Sequence, residues 1–113
     1  VEKTLTSRQK EIAAFALQQV IFGSPFDQGT YKGNHRLTIN GRTYDYDLSV
    51  NDRGGSATLQ KGMQALGSIS GAFNEVVIQN SIPYGERLES GWSEQAPYGV
   101  YEIAYNSTRE RFR

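Results

Sequence analysis

His35 is the single histidine of a chain that has no cysteine, and the residue types able to do chemistry are sparse around it. A serine hydrolase would need that imidazole beside a serine and an acid, and the serines and aspartates here are scattered with no motif that gathers them. In HRLTI, His35 alternates in phase with Leu37 and Ile39, so it reads as a strand residue whose ring nitrogens are satisfied inside the fold. One histidine without thiols falls short of the four N or S ligands of a structural zinc site. Asp45 and Asp47 stand two apart, on one side of an extended chain and opposite Tyr44 and Tyr46. That pair could face a hard cation, although a solvated strand face accounts for it more simply. Asp52-Arg53-Gly54-Gly55 lacks the alternating acids and closing Glu of a calcium loop, and Gly54-Gly55-Ser56 lacks the lysine and spacing of a phosphate loop. The expectation is a protein with no catalytic, metal or cofactor set.

Aromatic and basic residues offer a different chemistry. Arg36, Arg42, Tyr44 and Tyr46 interleave over 35–50, a pattern on which single-stranded nucleic acid can stack. The balance of 12 basic against 12 acidic residues supplies no general field toward nucleic acid or an anionic membrane. Tyrosines at alternate strand positions also pack helices and fill subunit interfaces. Arg109, Arg111 and Arg113, with Glu110 among them, read as a solvated basic tail.

The elements that must position these residues form one domain, 1–113, of α+β class: an N-terminal helix packed on a small antiparallel sheet, with one or two short additional helices. Thr6 or Ser7 caps a helix over 7–22, with Gln9 at capping-box spacing and Gly23 ending it. Its sheet-facing stripe is Ile12, Phe15, Ala16, Gln19 and Val20, widened by Leu17 and Ile21. GSPFDQGTYKG, 23–33, is too rich in glycine and polar residues for regular structure and reads as a mobile, partner-facing loop; Asp27, through an Asx turn, and Gly29 organise it. A hairpin follows over 35–50, with Asn40-Gly41 as its turn. Ser56 caps a short helix over 57–66 that Gly62 weakens. FNEVVIQ, 73–79, reads as a buried central strand, and 100–105 as a last strand, after which Ser107 caps a helical tail. No apolar run reaches a membrane span, and 1–10 has no signal-peptide core.

Residues 81–99, SIPYGERLESGWSEQAPYG, hold the only tryptophan in a helix-sized block bounded by Gly and Pro. In order and spacing this block resembles the Pro-Tyr-x-x-x-Leu-Glu-x-Gly-x-Ser-x-Gln-Ala-Pro signature of tailed-phage tail-completion (neck) proteins, the lambda minor tail protein Z type. Pro25-Phe26-Asp27-Gln28-Gly29, running on to Gly33-Asn34-His35, resembles the family's Pro-Val-Asp-Thr-Gly loop and the Gly-Asn-Trp that follows it. Gly54-Gly55-Ser56-Ala57-Thr58 is similar to the small-residue stretch before the family's middle helix. The likeness covers residues 23–100.

The resemblance implies a non-enzymatic virion part, made in the host bacterial cytoplasm. It implies a ring of copies of this chain, six by tail symmetry, at the head-proximal end of the tail. Partners would be the head-connector or head-closure protein and the tail terminator or tail tube protein, with DNA passing through the lumen and no membrane involved. On that reading Tyr84, Leu88, Trp92, Gln95 and Pro97 are the interface and anchor residues. The alternative, from another class, is a single-stranded nucleic-acid-binding module using the aromatic and basic hairpin 35–50.

Overall fold

A computed structural model describes residues 2–24, 29–69, 74–83, 85, 89 and 99–112, with side chains from Thr6 onward. The chain is an α+β fold: a long N-terminal helix packed on a two-stranded antiparallel sheet and on further helices. The elements in order are α1 (Glu2–Gly23), α2 (Gly29–Lys32), β1 (Arg36–Ile39), α3 (Ser56–Gly67), β2 (Val76–Gln79) and α4 (Tyr101–Phe112). α1 packs chiefly on α4 and α3, and α3 also meets β1.

α1 starts at Glu2, so Thr6 lies within it and the expected cap at Thr6 or Ser7 is not where the helix begins. Extending a formed helix adds a bond per residue fixed, and Glu2-Lys3-Thr4-Leu5 contains no breaker to stop that. The buried stripe is also rotated from the expected one. Ala13, Leu17, Val20 and Ile21 are buried, whereas Ile12, Phe15, Ala16 and Gln19 are half-buried. Two helices flank α1 in place of the single sheet that the sequence suggests, so its apolar face is shared among several neighbours. Phe15 meets Phe112 of α4 edge-on at 5.5 Å. The main core joins Leu17, Val20, Ile21, Tyr31, Ile82, Val100 and Ala104, and a smaller cluster joins Ala13, Leu66 and Ile69.

β1 pairs with β2 and not with 44–50: Arg36 stands opposite Gln79, Leu37 opposite Ile78, Thr38 opposite Val77 and Ile39 opposite Val76. Asn40, at φ 56°, and Gly41 form a bend and not the hairpin turn expected of them, and the Asn40 N–H bonds Glu75 O at 2.7 Å. The hairpin is therefore corrected to a long-range pairing, with 42–47 outside the sheet and without regular structure. β2 is likewise not a central strand, since the described sheet has two strands. Val77 is buried on one face, while Val76 and Ile78 are half-buried on the other.

The last strand expected over 100–105 is the start of α4, and Ser107 lies inside that helix. The period-2 pattern Val100, Glu102, Ala104 contains an i, i+4 pair as well. Val100 and Ala104 are the residues buried, and Glu102 is exposed, as a helix requires. In the described part of the 23–33 segment the loop expectation is corrected too: Gly29–Lys32 is a helical turn, and Tyr31, Lys32, Gly33 and Asn34 are all buried. Its glycines suggested a loop, but Tyr31 supplies a core side chain that holds the turn inside.

α3 occupies the expected place with a different cap. Ser56 makes no capping bond; the N-cap is Gly55, at φ 79°. Asp52 instead accepts from the Thr58 N–H at 2.9 Å, the Thr58 hydroxyl at 2.7 Å and the Gly55 N–H at 3.2 Å. Burial pushes the Asp52 carboxyl up, but these donors outweigh it and hold its pKa below the ordinary value. Gly62, which weakens α3 by propensity, faces α1, where a Cβ would collide with Leu17 Cδ2. The glycine gives up helix propensity to let two helices approach.

Candidate functional site

His35 sits just before β1, buried among three elements. Its Nε2 lies 2.7 Å from Ser24 Oγ at the end of α1, and its Nδ1 lies 2.7 Å from Tyr101 Oη at the start of α4. Ser24 Oγ also donates to Val20 O at 2.6 Å. A serine has one proton to give, so Nε2–H donates to Ser24 and Nδ1 accepts from the tyrosine. The chain then runs Tyr101 O–H to His35 to Ser24 to the α1 backbone, each proton used once, with a neutral imidazole. Tyr31 closes the third side, edge-on to the ring at 5.1 Å.

That direction decides the chemistry. A hydrolytic Ser–His pair needs the imidazole to accept the serine proton; here the imidazole donates to the serine, and both are buried. Burial, then the charges of Lys32 and Arg36, hold the His35 pKa down to about 3. Burial also raises the Tyr101 pKa well above its ordinary value. The arrangement is a structural tie binding α1, β1 and α4. The reading of His35 as an internally hydrogen-bonded residue holds, while its partners, far apart in sequence, carried no local signal. Among the described residues no group of three or more His, Asp or Glu side chains could hold a metal ion.

A second junction starts α4. The Glu89 carboxylate accepts from three backbone N–H groups, those of Val100 at 2.9 Å, Tyr101 at 2.7 Å and Glu102 at 2.9 Å. These are orphan donors of a helix N-terminus, and the negative charge suits the dipole there. Gly99, at φ 85°, carries the chain into the helix where a Cβ would meet the Glu89 backbone. Glu89 and Gly99 both belong to the 81–99 signature, so part of that motif is a cap whose acid stands 12 residues ahead of Tyr101, the first residue of its helix. Sequence reasoning missed this role because the acid and the helix it caps are separated by the motif itself.

The third feature is exposed. Residues 43–47 lie along the Arg36 and Gln79 side of the sheet, tied down by side chains that stand in for a partner strand. Asn34 Nδ2 donates to Asp47 O at 2.9 Å while Asp47 N–H donates to Asn34 Oδ1 at 2.6 Å. Gln79 Nε2 donates to Thr43 O, and Asp45 meets Arg36 Nε at 3.4 Å. The bonds to the rest of the fold come from the backbone of Thr43 and Asp47 and from the exposed Asp45 carboxylate, while the Asp47 carboxylate accepts from Ser49 of its own segment. Tyr44, Tyr46 and Leu48 are left 75%, 43% and 59% exposed. On the opposite side of the sheet, Arg8, Gln9, Ile12, Ala13 and Ala16 of α1 and Val76 and Ile78 of β2 line an apolar groove of about 480 Å³.

Of the expected site residues, Gly29 opens α2, and its carbonyl accepts from the N–H of Gly33 at 2.9 Å and of Asp52 at 3.0 Å. Asp27, Tyr84, Leu88, Trp92, Gln95 and Pro97 lie outside the described residues. Arg109 and Arg111 are on α4, over the rings of Tyr105 and Phe112 at 5.8 and 5.2 Å. Among the described residues no helix is long and apolar enough to cross a membrane. No protein-family model, curated protein or solved structure matches the chain.

Proposed function

We propose that the chain is a non-enzymatic structural subunit of a tailed-phage neck, one copy of a ring that completes the head-proximal end of the tail and joins it to the head connector. The observation that carries this reading is the order and spacing of the 81–99 signature. Two features support it. Glu89 and Gly99 of that signature serve the scaffold by starting α4, and the buried Ser24–His35–Tyr101 chain holds elements together instead of presenting a nucleophile. A subunit of such a ring needs exposed apolar residues for its neighbours, and Tyr44, Tyr46 and Leu48 supply them.

Electron microscopy of lysates lacking the protein tests the proposal. The expected result is DNA-filled heads and separate tails that fail to join. Joined, infectious particles without the protein would refute it. A second reading, single-stranded nucleic-acid binding, is favoured by the exposure of Tyr44 and Tyr46 beside Arg42. It requires a single-stranded DNA complex that weakens as salt rises.

A further inference from the structure

We propose that Asn40-Gly41 is a self-modification site: the chain loses ammonia there, Asn40 becomes aspartate and isoaspartate, and the change unfastens the open end of the β1–β2 sheet.

The reaction needs an asparagine whose following amide nitrogen can reach its side-chain carbonyl carbon, and glycine in the next position obstructs that approach least. Of the six asparagines only Asn40 precedes glycine. Both residues are exposed, and they stand where the chain bends out of β1 into 42–47, which has no regular structure. The Gly41 carbonyl accepts from the Thr38 hydroxyl at 2.7 Å, while the Gly41 N–H, the nucleophile, has no partner among the described residues. Neither crowding nor a left-handed φ requires glycine at 41, where a Cβ would meet nothing within 4 Å. The residue that leaves Asn40 open to attack is one that the backbone could do without.

In the first step Gly41 N gives its proton to solvent base, and its electron pair forms a bond to Asn40 Cγ. The Cγ–Nδ2 bond breaks, the nitrogen takes up a proton and leaves as ammonia, and a cyclic succinimide remains. Water then adds to either carbonyl of the ring. Opening at Cγ gives aspartate. Opening at the Asn40 main-chain carbonyl gives isoaspartate, whose main chain runs through Cβ and Cγ. One water is consumed and one ammonia released, with no change of oxidation state.

What the amide holds gives the step its effect. Asn40 closes the sheet just past its last pair, Ile39 opposite Val76. Its N–H donates to Glu75 O at 2.7 Å and its Oδ1 accepts from the Glu75 N–H at 2.7 Å, so a side-chain carbonyl completes a reciprocal, strand-like pair. Its Nδ2 donates to Asn74 Oδ1 at 2.9 Å. An aspartate has no proton to give to Asn74, and it sets a carboxylate opposite that of Glu75, where like charges repel. Isoaspartate does more, since it draws Cγ into the main chain and takes the acceptor away from the Glu75 N–H. Because bonds grip both ends of the amide, the reaction waits for them to open, and the end of a short two-stranded sheet is where local opening is most frequent.

Ageing the folded chain at mildly alkaline pH, followed by peptide mapping with mass spectrometry, tests this. A gain of about 1 Da should appear in the peptide holding 40–41, as separate aspartate and isoaspartate products. It should form at least about tenfold more slowly in Gly41→Ala, which the open space at 41 accommodates, and at least about tenfold faster in the urea-unfolded chain, where the clamp is absent. In the aged, folded chain the Glu75 N–H should exchange with solvent at least about tenfold faster than in the fresh one, with exchange at the buried Ile21 of α1 unchanged. A folded chain that gains no mass at 40–41, a Gly41→Ala chain that gains it at the wild-type rate, or an unfolded chain that reacts no faster would each overturn the site. Unchanged Glu75 exchange in the aged chain, or exchange that rises as much at Ile21, would overturn its effect on the sheet end.

Discussion

Acid should weaken this fold through one residue. His35 is the only histidine, so between pH 7 and about pH 4.5 no other side-chain type has its ordinary pKa in the window. Its ring moves from an ordinary value of 6.5 to about 3 in the folded chain, mainly by burial. The unfolded chain therefore takes up a proton below pH 6.5 that the folded chain refuses until about pH 3. Stability from this residue is complete above the unfolded value and is lost as pH falls toward the folded one. Each pH unit in that interval is worth about 1.4 kcal/mol, so by pH 4.5 the loss is about 2 to 3 kcal/mol.

Protonation is opposed in the structure by geometry as well as by burial. Nδ1 already accepts from Tyr101, and an imidazolium would have to donate there. Asp45 and Asp52 have pKa values below the ordinary carboxylate range, so their contributions fade at still lower pH and leave the window clear. Urea titrations at half-unit steps from pH 7.5 to 4.5 measure the slope. The wild-type free energy should be flat above pH 6.5 and fall below it, whereas His35→Gln should be less stable at neutral pH and nearly flat throughout. A flat wild-type profile, or a slope that survives in His35→Gln, would refute the assignment of a neutral, buried imidazole.

Glu89→Ala removes the acceptor of three N–H groups at the start of α4 and should cost about 1 to 2 kcal/mol, with helix loss at 222 nm; unchanged melting would refute the capping role. Gly62→Ala separates propensity from packing by sign. Propensity alone raises stability by about 1 kcal/mol, whereas collision with the fully buried Leu17 should lower it by about 1 to 3 kcal/mol in chemical denaturation. Trp92→Ala should weaken assembly by on the order of 3 kcal/mol if the signature tryptophan anchors a neighbour; particle assembly and melting that are both unchanged would remove it as an anchor.

Legibility followed the distance over which each signal acts. α1, α3 and the segment holding β2 were readable because helical periodicity and a run of β-branched residues are local properties. The α4 segment was misread because VYEIA satisfies period 2 and i, i+4 together. What settles it is Glu89, 11 residues before Val100 and across a Gly- and Pro-containing block. The pairing partner of β1 was misread for a related reason. Asn40-Gly41 is a turn signal in the sequence, but it says nothing of which strand β1 pairs with; the chain only bends there, and β2 offers β1 the apolar Val76 and Ile78 facing Ile39 and Leu37. The inert role of His35 was readable from its phase, but Ser24 and Tyr101 as its partners were not, since no spacing rule joins residues brought together by three separate elements.

The 42–48 segment carries the alternation of a strand without being one, and that difference has a physical meaning. In a hairpin the ladder would satisfy its backbone, and one of its faces would be covered by the fold. Here two side-chain amides, Asn34 and Gln79, take over part of the ladder's work. Such amides can bind a backbone but cannot bury a neighbouring side chain, so Tyr44, Tyr46 and Leu48 remain in solvent. Leaving rings of that size exposed forgoes roughly 1.5 to 3 kcal/mol of burial for each apolar side chain. That forgone burial is available to any surface that accepts the stripe. Exposed rings beside exposed carboxylates, on a backbone fixed in place, suit a surface that meets a neighbour.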